Sequence, residues 1–346
     1  MSGVGPEALF GGKDAPRFGR PRRHVRGPRL PVIAVTGFLG SGKTTLIKAL
    51  LARPEGANSA VVVNEYGEVG IDDALLRSSS DTVVLLGNGC LCCNVRTDLQ
   101  ECLRTLFADR VRGAVPSFER VIIETSGLAD PGPVLQTFAT DRGLGREFHL
   151  QALIAVVDAV AGAGNLQEMP EARAQAALAD RIVVTKGDLA GPDAVERLVS
   201  HVRALTSAPL GYAVDGAIEP GFLLEEPPAA PRKIGPGEAR HTHGLETFAL
   251  SFEAPLSWPA FDQAMAVLMA LRGPDLLRVK GLVAVEGCRG PVVVHYVQHV
   301  AHPPVELEEW PDADRRSRLV FVTRGLARAA VTRLFSGIAA IAAASG

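Results

Sequence analysis

The run Pro31-Val32-Ile33-Ala34-Val35-Thr36 leads directly into Gly37-Phe38-Leu39-Gly40-Ser41-Gly42-Lys43-Thr44, and a helical pattern follows from Thr44 to Leu51. No other feature narrows the fold so far. An apolar strand, a glycine-rich turn of the form GxxxxGK[ST] and a helix together make a phosphate-binding unit. The glycines let the backbone fold tightly, so that successive N–H groups face phosphate oxygens, and the helix N-terminus adds favourable dipole charge. In this pattern Gly37, Gly40, Ser41, Gly42 and Thr45 surround the phosphates. Lys43 reaches the β- and γ-phosphates, and the Thr44 hydroxyl ligates Mg²⁺.

Further strands are expected at Ala60–Val63, Thr82–Leu86, Arg120–Ile123, Leu153–Val157 and Arg181–Val184. These runs are continuously apolar rather than alternating, which implies burial on both faces and a parallel sheet flanked by helices. The Pro- and Gly-rich segment 225–240 reads as a linker. Beyond it, Thr247–Phe252 alternates, Trp258–Leu271 is helical, and Pro291–Val297 alternates in part. The expected architecture is therefore a nucleotide-binding α/β domain at 30–224 and a smaller α+β domain at 241–346 with antiparallel pairing.

The chain has 346 residues, 47% of them hydrophobic and 21% charged, ordinary values for a soluble protein of two domains. Its net charge of -2 supports neither a nucleic-acid nor a membrane role. No apolar run approaches the length of a bilayer span. Residues 1–29 carry Arg17, Arg20, Arg22, Arg23, Arg26 and Arg29 among Gly and Pro, and read as a disordered basic extension. Weak contact with an acidic partner or RNA is the alternative for this arm. Three of the five cysteines crowd into Cys90-Leu91-Cys92-Cys93, which is no disulfide framework, so a reducing cytoplasmic setting is expected.

Two segments complete a nucleotide site. Val121-Ile122-Ile123-Glu124-Thr125-Ser126-Gly127 is a buried strand ending in an acid. There Glu124 can hold Mg²⁺ directly or through water, and the Gly127 N–H can sense a γ-phosphate. Thr185-Lys186-Gly187-Asp188 matches [NT]KxD. Asp188 is placed to accept hydrogen bonds from N1–H and the exocyclic amine of guanine, a donor pair that adenine lacks. Lys186 packs its stem along the base, and Thr185 supplies the polar contact more commonly made by Asn. The triphosphate read from the sequence is GTP.

Cys90, Cys92 and Cys93 follow a strand and sit beside Gly87 and Gly89. Converging thiolates prefer Zn²⁺, Cu⁺ or, less strongly, Co²⁺ over Mg²⁺ or Ca²⁺. Three thiolates leave a tetrahedral site one ligand short, which suits transfer, and Glu65 is the candidate for the additional ligand. Cys102 and Cys288 read as buried small hydrophobes.

These segments resemble the CobW-type GTPases, metal-handling P-loop proteins related to the urease and hydrogenase maturation GTPases. GFLGSGKTTL, VVNEYGEVGID, GNGCLCCNVRTDL, ETSGLADP and ADRIVVTKGDL stand in that family's order, and HTHG, LLRVKGL and RSRLVFV are similar to its C-terminal domain. The resemblance puts Cys90, Cys92 and Cys93 on a CxCC site for Zn²⁺ or Co²⁺, and Glu65 and Asp72 in the segment that responds to the γ-phosphate. It implies GTP hydrolysis, with Lys43, Thr44, Glu124 and Asp72 as the catalytic set, and turnover is expected to be slow because no arginine finger or positioned glutamine is evident. The implied cargo is Zn²⁺ ahead of Co²⁺, and the implied partners are a client metalloprotein and a nucleotide- or metal-dependent second copy of the chain. The alternative is an adaptor whose shape responds to GTP and metal, with hydrolysis incidental.

Two departures stand out. Thr185 replaces the commoner Asn, and the linker lacks a long histidine-rich tract. The histidines further on, His295, His299 and His302, read as polar positions on a half-exposed sheet rather than a metal site, while His241 and His243 are candidates for transient ligation or partner contact.

Overall fold

The computed structural model describes residues 29–64, 83–85, 95–141, 143–226, 240–242, 245–298 and 300–344. The first half is a seven-stranded sheet in the order β3-β2-β4-β1-β5-β6-β7. Its strands are β1 (Leu30–Thr36), β2 (Ser59–Asn64), β3 (Val83–Leu85), β4 (Arg120–Thr125), β5 (Phe148–Asp158), β6 (Arg181–Thr185) and β7 (Leu210–Ala213). Every pairing in it is parallel. Helices cover both faces, so the strands are apolar throughout: Val32, Ala34, Val62, Val121 and Leu153 pack into one core layer, while Ile33, Val61, Ile122 and Ile154 pack into the other.

Six of the seven strands lie where the apolar runs place them. The seventh, β7, went unpredicted. Its four residues are mostly half-exposed, with Tyr212 55% exposed, so the run carries no apolar signature.

The second half is an antiparallel sheet in the order β12-β11-β10-β14-β9-β8, with β13 pairing β11. The strands are β8 (Arg240–Thr242), β9 (Leu245–Phe252), β10 (Leu276–Val283), β11 (Val292–Val297), β12 (Val300–Ala301), β13 (Val305–Glu306) and β14 (Ser317–Arg324). The helices Trp258–Arg272 and Arg328–Ala344 pack on one face, where Phe248, Phe261, Phe321 and Phe335 form the centre of a separate core. The other face turns to the first sheet's domain. Leu245, Leu277, Val297 and Val322 join that domain's own core, so the two units share apolar packing.

A buried polar cluster marks the same boundary. Asp180, which precedes β6, accepts from Arg278 Nη2 at 2.8 Å and from Lys280 Nζ, and its other oxygen accepts from the Leu153 N–H at 2.9 Å. Arg278 also donates from Nε to His295 Nε2 at 3.3 Å, and the His295 and His302 rings stack with centroids 4.2 Å apart. The two histidines are half-exposed polar positions, as expected, but they are not separate. The tight β11–β12 turn, with Gln298 at φ +52°, folds one onto the other at the domain boundary. His299 and His243 lie outside the described residues.

Among the described residues no helix is long and apolar enough to cross a membrane.

Candidate nucleotide site

In an all-parallel sheet the C-terminal ends of the strands share one edge, and in α/β folds ligands bind outside that edge. β1, β4, β5 and β6 all end there, and they deliver every described residue of the candidate site.

The loop after β1 turns on glycine. Gly40 and Gly42 have φ of +69° and +93°, values that side chains disfavour. Gly37 is required for another reason: a Cβ there would lie 2.3 Å from the Val156 carbonyl of β5. Gly42 caps the helix Lys43–Leu51, and Lys43 is buried within the loop's curve. Its ammonium donates to the carbonyls of Gly37 at 3.0 Å and Phe38 at 3.3 Å. Thr45 stands exposed on the first helical turn. A cation held over a backbone loop at a helix N-terminus is a polyanion receptor.

Register places the acid. Val35 of β1 pairs with Glu124 of β4, so the carboxylate arrives beside the start of the helix. Thr44 donates its hydroxyl to Glu124 Oε1 at 2.6 Å. A hydroxyl and a carboxylate this close are hard oxygen donors, the chemistry Mg²⁺ requires. The residues fit that ion. Next along the chain, Gly127 abuts the phosphate loop: a Cβ on it would lie 2.9 Å from both the nitrogen and the Cα of Leu39.

The end of β6 is bolted to the same loop. Thr185, 5% exposed, donates from Oγ1 to the Ser41 carbonyl at 2.7 Å. Lys186 takes the left-handed conformation, φ +55°, and its ammonium donates to the Gly40 carbonyl at 2.8 Å and to Asp158 Oδ2 at 2.6 Å. Asp158 is itself fixed, accepting on Oδ1 from the Val160 and Ala161 N–H groups at 2.6 and 3.3 Å. Asp188 follows, exposed, in the first turn of the short helix Gly187–Ala190.

The structure thus gathers Gly37, Gly40, Ser41, Gly42, Lys43, Thr44, Thr45, Glu124, Gly127, Thr185, Lys186 and Asp188 at one sheet edge. Glu65, Asp72, Cys90, Cys92 and Cys93 lie outside the described residues. The strands that lead to them, β2 ending at Asn64 and β3 at Leu85, point to that edge as well. Among the described residues no three His, Cys, Asp or Glu side chains gather into a metal site. Burial pushes the Cys102 thiol up to about 11, which suits an inert packed cysteine.

Sequence reasoning missed two members of this edge. Asp158 ends an apolar strand just as Glu124 does, and that parallel could have flagged it. The turn Val214–Ala217 after β7 gave no signal, although its Gly216, at φ +77°, presses against the Thr45 carbonyl.

Residues 31–209 match the family model described as CobW/HypB/UreG, nucleotide-binding domain, and residues 245–339 match the Cobalamin synthesis protein cobW C-terminal domain. The chain belongs to the CobW family. Within it, the chain is 30% identical over 317 residues to the zinc chaperone YjiA of Escherichia coli, spanning 89% of this chain and 98% of that protein. It is 32% identical over 345 residues to the zinc chaperone CobW of Pseudomonas aeruginosa, spanning 88% and 90%. The crystal structure of Zn(II)-bound YjiA GTPase from E. coli is similar with a TM-score of 0.69 at 25% identity, covering 90% of this chain and 99% of that one. This CobW-family protein therefore has its family's two-domain architecture and nucleotide-binding fold.

Proposed function

We propose that this CobW-family chain is a GTP-hydrolysing metallochaperone that carries Zn²⁺, with Co²⁺ as the alternative cargo, to a client metalloprotein in a reducing cytoplasm. Residues 30–224 run the nucleotide cycle, and residues 241–346, after the linker 225–240, form the second domain. One observation carries the nucleotide half: Thr185 and Lys186 are hydrogen-bonded to the carbonyls of Ser41 and Gly40, so base-reading and phosphate-binding segments are one rigid receptor.

In this reading Lys43 exchanges its loop carbonyls for the β- and γ-phosphates, and Gly127 meets the γ-phosphate from the opposite side. The Thr44 hydroxyl and Glu124 would hold Mg²⁺, which would supply positive charge to offset that of the phosphates. Asp188 selects guanine. Hydrolysis is slow in this reading, since the sequence shows no arginine finger or positioned glutamine.

The metal half rests on the thiolate chemistry of Cys90, Cys92 and Cys93, with Glu65 as the further ligand, and on similarity to relatives named zinc chaperones. β2, β3 and β4 end on a common edge, so the segments carrying Glu65, Asp72 and the cysteines spring from the side where the γ-phosphate is held. Loss of the γ-phosphate then loosens the thiolate site and releases the ion.

Phosphate release from GTP and ATP tests the nucleotide half. The full chain turns over GTP in preference to ATP, and Lys43→Ala loses nucleotide binding. Equal use of ATP, or undiminished turnover in Lys43→Ala, contradicts the reading.

A further inference from the structure

The helix Pro170–Leu178 lies beneath the nucleotide site and buries small residues: Ala172, Ala174, Ala176 and Ala177. Gln175 breaks the series with a full-length amide that is 1% exposed. A buried amide is costly unless its hydrogen bonds are made. Here one nitrogen makes two, donating from Nε2 to the carbonyls of Gly127 at 3.1 Å and Ala129 at 3.0 Å. Both partners accept only, which fixes which end of the amide faces them.

Those carbonyls belong to the loop that follows Glu124. Its turn is closed by the Ala129 N–H on the Ser126 carbonyl at 3.1 Å, and its Gly127 abuts Leu39 of the phosphate loop. A trans peptide points its C=O and its N–H in opposite directions. Clamping the Gly127 and Ala129 carbonyls toward the helix therefore turns the Leu128 and Asp130 N–H groups away from it. One buried side chain sets the aim of these two main-chain donors.

Packing does not account for the residue. Gln175 Oε1 has no hydrogen-bond partner among the described residues, so the amide's burial is offset only by the two bonds its nitrogen makes to the loop, and an apolar side chain of equal length would leave those two carbonyls without this donor. Gln175 also lines a small cavity shared with Gly37, Phe38 and Ser41, directly under the phosphate loop.

We propose that Gln175 is a positioning residue for GTP hydrolysis, holding residues 126–130 so that the loop's N–H groups meet the γ-phosphate. This rests on the GTPase reading above. Gln175 lies behind the loop and acts through it, so the step that needs the γ-phosphate is sensitive to it. Affinity for GDP is not.

The test compares the full chain with Gln175→Met, which keeps length and packing without donors, and Gln175→Glu, which keeps the shape and replaces the amide donor. The kcat and KM for GTP with Mg²⁺ and the Kd for GDP are measured for each. The expected result is a kcat lowered about 10- to 100-fold with GDP affinity unchanged. Unchanged kcat in variants that bind GDP normally overturns the inference alone. So does a parallel loss of kcat and GDP affinity in both, which marks a merely structural role. A wild-type chain without GTP turnover overturns the GTPase reading and this inference with it.

Discussion

Thr185 donates its hydroxyl to the Ser41 carbonyl at 2.7 Å, across 144 positions of sequence. This bond ties the end of β6 to the phosphate loop, and it explains how the chain tolerates Thr where the family commonly has Asn. The contact needs one donor at that depth, and a hydroxyl supplies it.

Thr185→Val removes the donor while preserving shape. It leaves the Ser41 carbonyl without this donor at a cost of about 1–3 kcal/mol, and GDP affinity and thermal stability both fall. Thr185→Asn restores a donor and keeps affinity near that of the wild type. Calorimetric GDP titration of the two variants decides it; normal binding by the Val variant would remove the strut from the account.

How much of this was legible beforehand follows from the range of each interaction. The phosphate loop was readable because its glycines, Lys43 and Thr44 act within eight positions of one another. Glu124 and Asp188 were readable because strands β4 and β6 announce themselves as apolar runs ending in those motifs. Asp158 was only partly so, through its place at the end of an apolar strand, and Gln175 was not readable at all. Their partners, Lys186 and Gly127, lie 28 and 48 positions away, and no local pattern reports which contact each makes. The His295–His302 stack is not visible in the sequence, because strand periodicity does not report the turn at Gln298, where the chain reverses.

Asp188→Asn replaces an acceptor-only carboxylate by an amide that donates as well. Selectivity shifts from guanine toward xanthine, read as the ratio of GTP to XTP affinity. Full retention of GTP selectivity would take the base-reading role from Asp188.

The domain boundary has a pH signature. Loss of solvation, then Arg278 and Lys280, hold His302 down at about 4, and loss of solvation, His302, Lys280 and Arg278 hold His295 well below 6.5. Both rings stay neutral in the folded chain but take protons near 6.5 when it unfolds. The unfolded state then binds more protons, so stability falls as pH drops from 6.5 toward 4. Asp180 adds to this lower down: burial raises its pKa, but Arg278 and Lys280 outweigh that and hold it near 2, so its contribution is lost between 3.8 and about 2. Thermal melts from pH 7 to pH 5 should fall, and less steeply in a His295→Gln, His302→Gln double variant. A flat wild-type profile, or an unchanged slope in the variant, would contradict the assignment.

Replacing Cys90, Cys92 and Cys93 together by Ser removes the thiolates and eliminates tight Zn²⁺ binding, while GDP affinity persists because the described nucleotide contacts do not involve them. Equilibrium dialysis with Zn²⁺ reads the difference. Stoichiometric tight binding that survived the triple replacement would move the metal site to the histidines.

The coupling of metal to nucleotide is the centre of the account, and competitive titration of Zn²⁺ and Co²⁺ measures it directly. The full chain is titrated with Mg²⁺ and GTPγS, with Mg²⁺ and GDP, and without nucleotide. The account predicts much tighter metal binding in the triphosphate state, with Zn²⁺ ahead of Co²⁺. Equal affinity in all three states would contradict it and leave a GTPase whose metal site is uncoupled from its nucleotide.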